Sequence, residues 1–339
     1  MSGPGLHQSS DMGGTAKVDA LTDEAPLPPV DKSAPVAGRS PLQIAWARLR
    51  KDKVAIVSAT VVLAFVLIAI FAPLICSLFN VDPDTRHFEL LEFDGYPAVG
   101  PSLEHPFGIE PKDGRDLFAR WVYGARYSVM IAVIAATVAT LVGITVGLFA
   151  GFFGGWVDRI LSFVIDVFLS LPFLLIAIAV APIVSAQFAD QGLDAFGRAQ
   201  LIVLIAILAT FGWMGLARLI RGEVLSLRER EFVLAARAIG APTRRILHRE
   251  LLPNLVAPIV ISISLGIPAY VSAEAGLSLL GVGLVQQPSW GKTIRDAIPW
   301  FGEVNFYLLA PVLGVLLLVL ALNLLGDSVR DALDPKTRR

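Results

Sequence analysis

Six apolar runs, at about 54–76, 129–151, 160–182, 201–220, 256–280 and 306–326, constrain this chain more than any other feature. A helix needs roughly 20 mostly apolar residues to cross the hydrocarbon of a bilayer, and each run is long enough. The pattern predicts an all-α membrane protein with six transmembrane helices. Hydrophobic residues make up 55% of the sequence and charged ones 17%, with the charges gathered between the runs. The net charge of −1 gives no basic field for nucleic acid. A single cysteine, Cys76, excludes an internal disulfide framework and a multi-cysteine metal site, and its place near the end of the first run points to packing.

Residues 1–39 are rich in Gly, Ser, Pro, Ala and Asp without apolar period, and read as a disordered tail. They form no signal peptide, because no apolar core follows a short basic start. Residues 40–53 can form a short helix with Leu42, Ile44, Ala45 and Leu49 on or near one face and Trp46 beside basic residues, an elbow lying on the membrane. Region 40–76 is then the elbow plus the first span.

Lys and Arg set orientation. Arg48, Arg50, Lys51 and Lys53 precede the first span. Arg218, Arg221, Arg228, Arg230, Arg237, Arg244, Arg245 and Arg249 lie between the fourth and fifth. Arg330, Lys336, Arg338 and Arg339 follow the sixth. Six spans put all three groups on one side, so both termini are expected in the cytoplasm, with 327–339 as a cytoplasmic tail. Arg115, Arg120 and Arg126 run against this assignment, and an amphipathic segment at 115–127 accommodates them. Region 77–125 is then an extracytoplasmic loop plus that segment, and 126–326 a five-helix core; 183–200, with Asp190 and Asp194, also lies outside.

The loop 221–253 carries two helical patterns. Phe232, Ala235, Ala236 and Ile239 fall at i, i+3, i+4 and i+7, one face of a helix. Gly240 suits a C-terminal stop and Pro242 the first turn of a second helix, which Pro253 ends before the fifth span. Small residues on one face beside a glycine bend leave room for another surface to approach. A solvated loop that only enforces orientation fits the periodicity equally well.

Asp166 in the third span and Glu274 in the fifth are the deep ionisable residues. Such groups line pathways or pair with polar partners inside a bundle. Asp158 and Arg159 lie at the end of the third span. Gly143, Gly147 and Gly151 repeat at intervals of four, the spacing of close helix approach, either to a partner subunit or within this one. Trp290 and Trp300 are expected as interface anchors. No GxxxxGK[ST] phosphate loop and no catalytic constellation occur, so the chain is not read as an enzyme. His7, His87, His105 and His248 show no ligand spacing. No metal and no cofactor are expected.

Leu234-Ala235-Ala236, Gly240 and Leu252-Pro253 resemble the Glu-Ala-Ala, Gly and Leu-Pro signature loop of ATP-binding-cassette (ABC) importer permeases, with Leu234 standing where the motif has Glu. Glu231, one turn earlier, offers a substitute acid. HPFGIEPKDGRDLFARWVYGAR (105–126), SAEAGLSLLGVGLVQQPSWG (272–291), NLLGDSVRDALDPKTRR (323–339) and ARLRKDKVAIVS (47–58) are similar to segments of the dipeptide/oligopeptide/nickel permeases, in their order, and to the second permease of the pair, the DppC/OppC type. The resemblance covers about residues 40–339.

It implies the type I importer permease (MetI-like) architecture in a prokaryotic cell membrane. The implied partners are a homologous permease as heterodimer, two cytoplasmic ATP-binding subunits and an extracytoplasmic solute-binding protein. The coupling residues it implies are Glu231, Phe232, Ala235, Ala236, Arg237, Ile239, Gly240, Leu252 and Pro253, with Asp166 and Glu274 as candidates for a translocation path. The implied cargo is di- or oligopeptides, with nickel chelates, haem or sugars as alternatives. The competing architectures are a stand-alone secondary transporter, which calls for broken-helix repeats, and a membrane scaffold.

Overall fold

The computed structural model describes residues 41–334; the tail expected over 1–39 lies outside the described residues. The described chain is helices joined by turns and one irregular lobe. Helix α1 (Pro41–Leu49) turns at residues 50–52 into α2 (Lys53–Ile70), where the Asp52 carboxylate accepts the Val54 N–H at 2.9 Å and caps the new helix. Trp46 is exposed, with the Arg50 guanidinium 4.9 Å from its ring centre. Helix α3 (Ala72–Leu78) buries Cys76 against the start of α4 (Leu117–Phe153).

Helix α4 has 37 residues, about 55 Å of rise. It absorbs the amphipathic segment expected at 115–127, which is no separate element. Asp116 caps the helix by accepting the Ala119 N–H at 2.6 Å. Arg120 is only 1% exposed and faces the buried Glu110 carboxylate at 3.3 Å, and the Tyr307 hydroxyl donates to the same carboxylate at 2.5 Å. A paired, buried arginine needs no aqueous face of its own. Arg120, one of the three arginines that run against the charge rule, is therefore internal to the protein.

Helices α5 (Gly155–Ser170) and α6 (Phe173–Ala186) occupy the third run, but bent by 84° rather than as one straight span. Leu171–Pro172 is the cause. The residue before proline is pushed to extended backbone, here ψ 131°, and proline has no N–H to continue the ladder. Next come α7 (Leu193–Gly212) and α8 (Met214–Leu227), nearly continuous through Trp213.

Helices α4 and α8 meet along the glycine repeat. A Cβ on Gly143 would touch Trp213 O and Leu216, one on Gly147 would touch Ala217 O and Ile220, and one on Gly151 would touch Arg221 O and Val224. The glycine seam therefore packs within the subunit. Its contacts advance in the same direction on both helices, so α4 and α8 run parallel. The chain must cross once between them, and the bent α5–α6 pair is that crossing. Among the described residues five helical segments are long and apolar enough to span, or six with this bent pair taken as one span.

Beyond α9 (Glu231–Ala238), α10 (Thr243–Arg245) continues through a π turn, Ile246–Leu251, and a 3₁₀ turn, Leu252–Leu255, into α11 (Val256–Leu279). Pro253 does not end the helix as expected. The turn widens ahead of it, which accommodates a ring without N–H. Helix α12 (Trp290–Ala297) is capped by Ser289, whose hydroxyl accepts the Lys292 N–H at 3.2 Å. Trp290 is wholly buried rather than an interface anchor. Its ring packs 5.5 Å from that of Phe65, and its indole N–H donates to Trp121 O at 3.0 Å. Helix α13 (Asn305–Leu333) runs through Asp327, so no tail begins at 327.

Candidate functional site: an exposed short helix and an apolar cavity

Helix α9 stands at the end of the bundle reached by the C-terminus of α4, since the Arg228 guanidinium donates to Gly151 O at 3.1 Å. Three residues, Arg228 to Arg230, join it to α8. Its first acidic residue is Glu231, favourable at a helix N-terminus. Ile239 closes it, and Gly240 follows at φ +77°, a left-handed conformation that turns the chain towards Pro242.

One face of α9 is anchored. Val233 is 0% exposed and Ala236 is buried, both among Leu148, Ile220, Val224, Ile246, Leu251 and Leu255. Burying such a valine stabilises by about 1.5–3 kcal/mol. Ala236, expected to face outwards with Phe232, instead faces the chain's own core. Phe232, Leu234, Ala235 and Ile239 are exposed, Ile239 by 78%. Arg237 lies over Phe152, 5.3 Å from its ring centre. Leu252 is half-buried and Pro253 exposed, in the 3₁₀ turn that leads into α11. The result is a short helix held rigidly from behind and presenting apolar side chains forward.

Asp166 and Glu274 do not meet. Asp166 pairs with Arg218 at 2.7 Å, both more than half exposed. Glu274 is fully buried and accepts from the Ser278 hydroxyl at 2.9 Å. Beside it, the Ser128 hydroxyl accepts the Trp290 N–H at 3.3 Å. Neither carboxylate lines the apolar cavity of about 510 Å³ walled by Ala136 and Thr140 of α4, Phe173 of α6, Phe211 and Gly212 of α7, Leu216 and Leu219 of α8, and Ser262, Gly266, Ala269 and Tyr270 of α11. Its polar groups are hydroxyls. Tyr270 reaches so close to Gly212 that a side chain there would collide with its phenol oxygen. Sequence reasoning missed Tyr270, since one tyrosine in an apolar run carries no signal of its own.

It also missed two ion pairs on α5. Asp158 engages Arg221 through both carboxylate oxygens, the second at 2.8 Å, and the Ser162 hydroxyl donates to Asp158 at 3.1 Å. At the opposite end of the bundle, His105 and Asp116, from two parts of one motif, are joined at 2.8 Å, with the His87 ring 5.0 Å from that of His105.

Residues 143–339 match the family described as binding-protein-dependent transport system inner membrane component, and residues 40–91 match the N-terminal transmembrane domain of oligopeptide transport permease C. The dipeptide transport system permease protein DppC of Alkalihalophilus pseudofirmus is 37% identical over 92% of this chain and 94% of its own length. DppC of Bacillus subtilis is 36% identical over 88% and 86% respectively. The glutathione transport system permease protein GsiD of Salmonella typhimurium is 38% identical over 88% and 92%. Among solved structures, the inward-facing MetNI methionine ABC transporter aligns with a TM-score of 0.49 at 18% identity, covering 64% of this chain and 98% of the matched one. The chain therefore belongs to the binding-protein-dependent inner-membrane transport components, as an ABC-importer permease of the dipeptide/oligopeptide type.

Proposed function

We propose that this chain, paired with a homologous permease, forms the pathway by which an ABC importer admits short peptides, and that α9 is the contact through which cytoplasmic ATPases drive it. The observation that carries the reading is the two-sided α9. Val233 and Ala236 fix it to the bundle, while Phe232, Leu234, Ala235 and Ile239 remain open. An apolar helix face without a partner at an aqueous end of a membrane protein fits a protein contact.

Glu231 and Arg237 supply polar contacts at its rim, Gly240 sets the angle to α10, and Leu252-Pro253 joins it to α11. The basic residues between α8 and α11 support a cytoplasmic position for this end, and with it for both termini. The lobe from 79 to 116 then faces outwards, towards a solute-binding protein. ATP hydrolysis belongs to the partner chains, and a movement of α9 is passed on as rigid-body displacement.

The cavity beside Tyr270 is this subunit's share of the path. Its hydroxyl-bearing, otherwise apolar wall suits peptide backbones of varied sequence. Dipeptide and glutathione relatives at similar identity favour two cargoes, dipeptides and the tripeptide glutathione. The test is co-purification in mild detergent followed by reconstitution. Recovery with a second permease and ATP-hydrolysing chains, and ATP-dependent uptake of labelled dialanine or glutathione, is expected. A chain that moves either solute alone, without nucleotide, refutes the reading.

A further inference from the structure

The ion pairs on α5 have no place in a simple docking account, and the geometry gives them one. α8 is the stem of α9. α5 lies along α8 through Asp158–Arg221 and Asp166–Arg218, and through Ile165, which is 2% exposed among Met214, Ala217 and Trp213. The pairs run in opposite chain directions, so α5 climbs as α8 descends. The other face of α5 is open, with Trp156 74% and Phe163 68% exposed. At the end of α5 the chain breaks at Leu171–Pro172 and resumes with Phe173, which stands in the cavity wall and packs 5.6 Å from the Phe211 ring.

We propose that Asp158, through Arg221, is a positioning residue that carries displacement of α9 and α8 into α5 and, across the Leu171–Pro172 break, to Phe173 at the cavity. The inference rests on the docking reading of α9 and deepens it. Helices move as bodies about a few terminal residues, so a stem clasped to α5 must tilt it, and the tilt is released at the break. The two pairs are unequal. Asp158 and Arg221 are 20% and 30% exposed and bidentate, whereas Asp166 and Arg218 are 64% and 59% exposed. The second pair is joined through one carboxylate oxygen only, so it holds the two helices less firmly. Asp158–Arg221 is therefore the clasp, and Asp166–Arg218 an accessory to it.

The experiment uses the whole complex in proteoliposomes, with Cys76→Ala and a single reporter, Phe173→Cys. Labelling by a membrane-impermeant methanethiosulfonate is timed without nucleotide and after trapping with ATP and vanadate. The parent is expected to change its labelling rate about fivefold or more, the lower end of coupling between sites. Asp158→Asn is expected to abolish that change while ATPase recovery and hydrolysis persist. Asp158→Glu and the exchange Asp158→Arg with Arg221→Asp are expected to keep or restore it, and Asp166→Asn to retain most of it. An undiminished change in Asp158→Asn, or an exchange chain that does not regain it, overturns the proposal. So does loss of the ATPases from the Asp158→Asn complex, which makes the pair a docking element instead. A parent recovered without ATP-hydrolysing chains overturns the docking reading itself, and the clasp with it.

Discussion

Substituting the glycine seam with alanine tests the parallel packing of α4 on α8, from which the six-span topology follows. A Cβ on Gly147 would meet Ile220 Cβ at 2.8 Å and Arg221 N at 3.1 Å; one on Gly151 would meet Val224 Cβ at 2.7 Å and Arg221 O at 2.8 Å. Non-bonded carbons settle about 3.5–4.0 Å apart, so α8 must retreat by about 1 Å. Overpacking of this kind costs about 1–3 kcal/mol. Replacing glycine inside a helix returns about 1 kcal/mol.

The neighbours at Gly147 are backbone atoms and a β-branched side chain, which cannot swing aside, so Gly147→Ala is expected to lose about 2 kcal/mol. One retreat of α8 makes room at all three sites. The triple alanine variant is therefore expected to cost about 2–4 kcal/mol, less than the sum of its singles, because coupled sites do not add. Gly222, in the same α8 with nothing within 4 Å, is the control; its alanine variant is expected to gain about 0.5–1 kcal/mol. Unfolding of the purified chain in detergent, followed by tryptophan fluorescence, reads all of these. A Gly147→Ala chain as stable as the parent, beside a stabilised Gly222→Ala, refutes the close approach and the topology drawn from it.

Other outcomes follow from the same geometry. Val233→Asp places a carboxylate in a sealed apolar cluster and is expected to destabilise by about 3 kcal/mol or more, read as faster tryptic cleavage around Arg230. Ile239→Asp is expected to leave that cleavage unchanged and to abolish recovery of ATPase partners in pull-down. Glu110→Ala strands the buried Arg120 and is expected to cost about 3–5 kcal/mol in thermal unfolding, whereas Tyr307→Phe, which keeps the ion pair, costs about 1–2. Asp52 is held below its ordinary value of 3.8 first by the Ser328 hydroxyl, against desolvation, and then by the Val54 and Ala55 N–H groups. Its contribution to holding the α1–α2 turn on α13 is therefore present at neutral pH and lost as pH falls through that lowered value; Asp52→Asn removes this acid step from a hydrogen-exchange pH series.

Much of the architecture was legible because the bilayer imposes it. Apolar length located every crossing, and arginine clusters marked one side. What stayed hidden depended on which residue meets which. Periodicity put Phe232, Ala235, Ala236 and Ile239 on one face, but could not tell that Val233 and Ala236 turn to the chain's own core, because both faces of α9 are apolar. The Leu171–Pro172 dipeptide is visible in the sequence, yet its 84° consequence is not, since proline in a span often gives only a kink. Trp290 was read as an anchor because tryptophan favours interfaces; only the fold shows that Phe65 and Trp121 enclose it. Arg120 looked like a breach of the charge rule until Glu110 was found beside it.

The bend between α5 and α6 also bears on the lipid around the subunit. Helix α6 has 14 residues, about 21 Å of rise, against a hydrocarbon thickness near 30 Å. Helix α5, at 84° to it, does not continue the same line across the bilayer. On this flank α6 alone therefore falls about 9 Å short of the hydrocarbon, and the crossing depends on the bent pair together. Mismatch costs a fraction of a kcal/mol per Å and is met by local thinning of the bilayer. Thinning of the bilayer there would bring headgroups and water towards Asp166 and Arg218, both more than half exposed. If α5 is held to α8 as proposed, reconstituted transport is expected to vary with acyl-chain length, a variable separate from the nucleotide cycle.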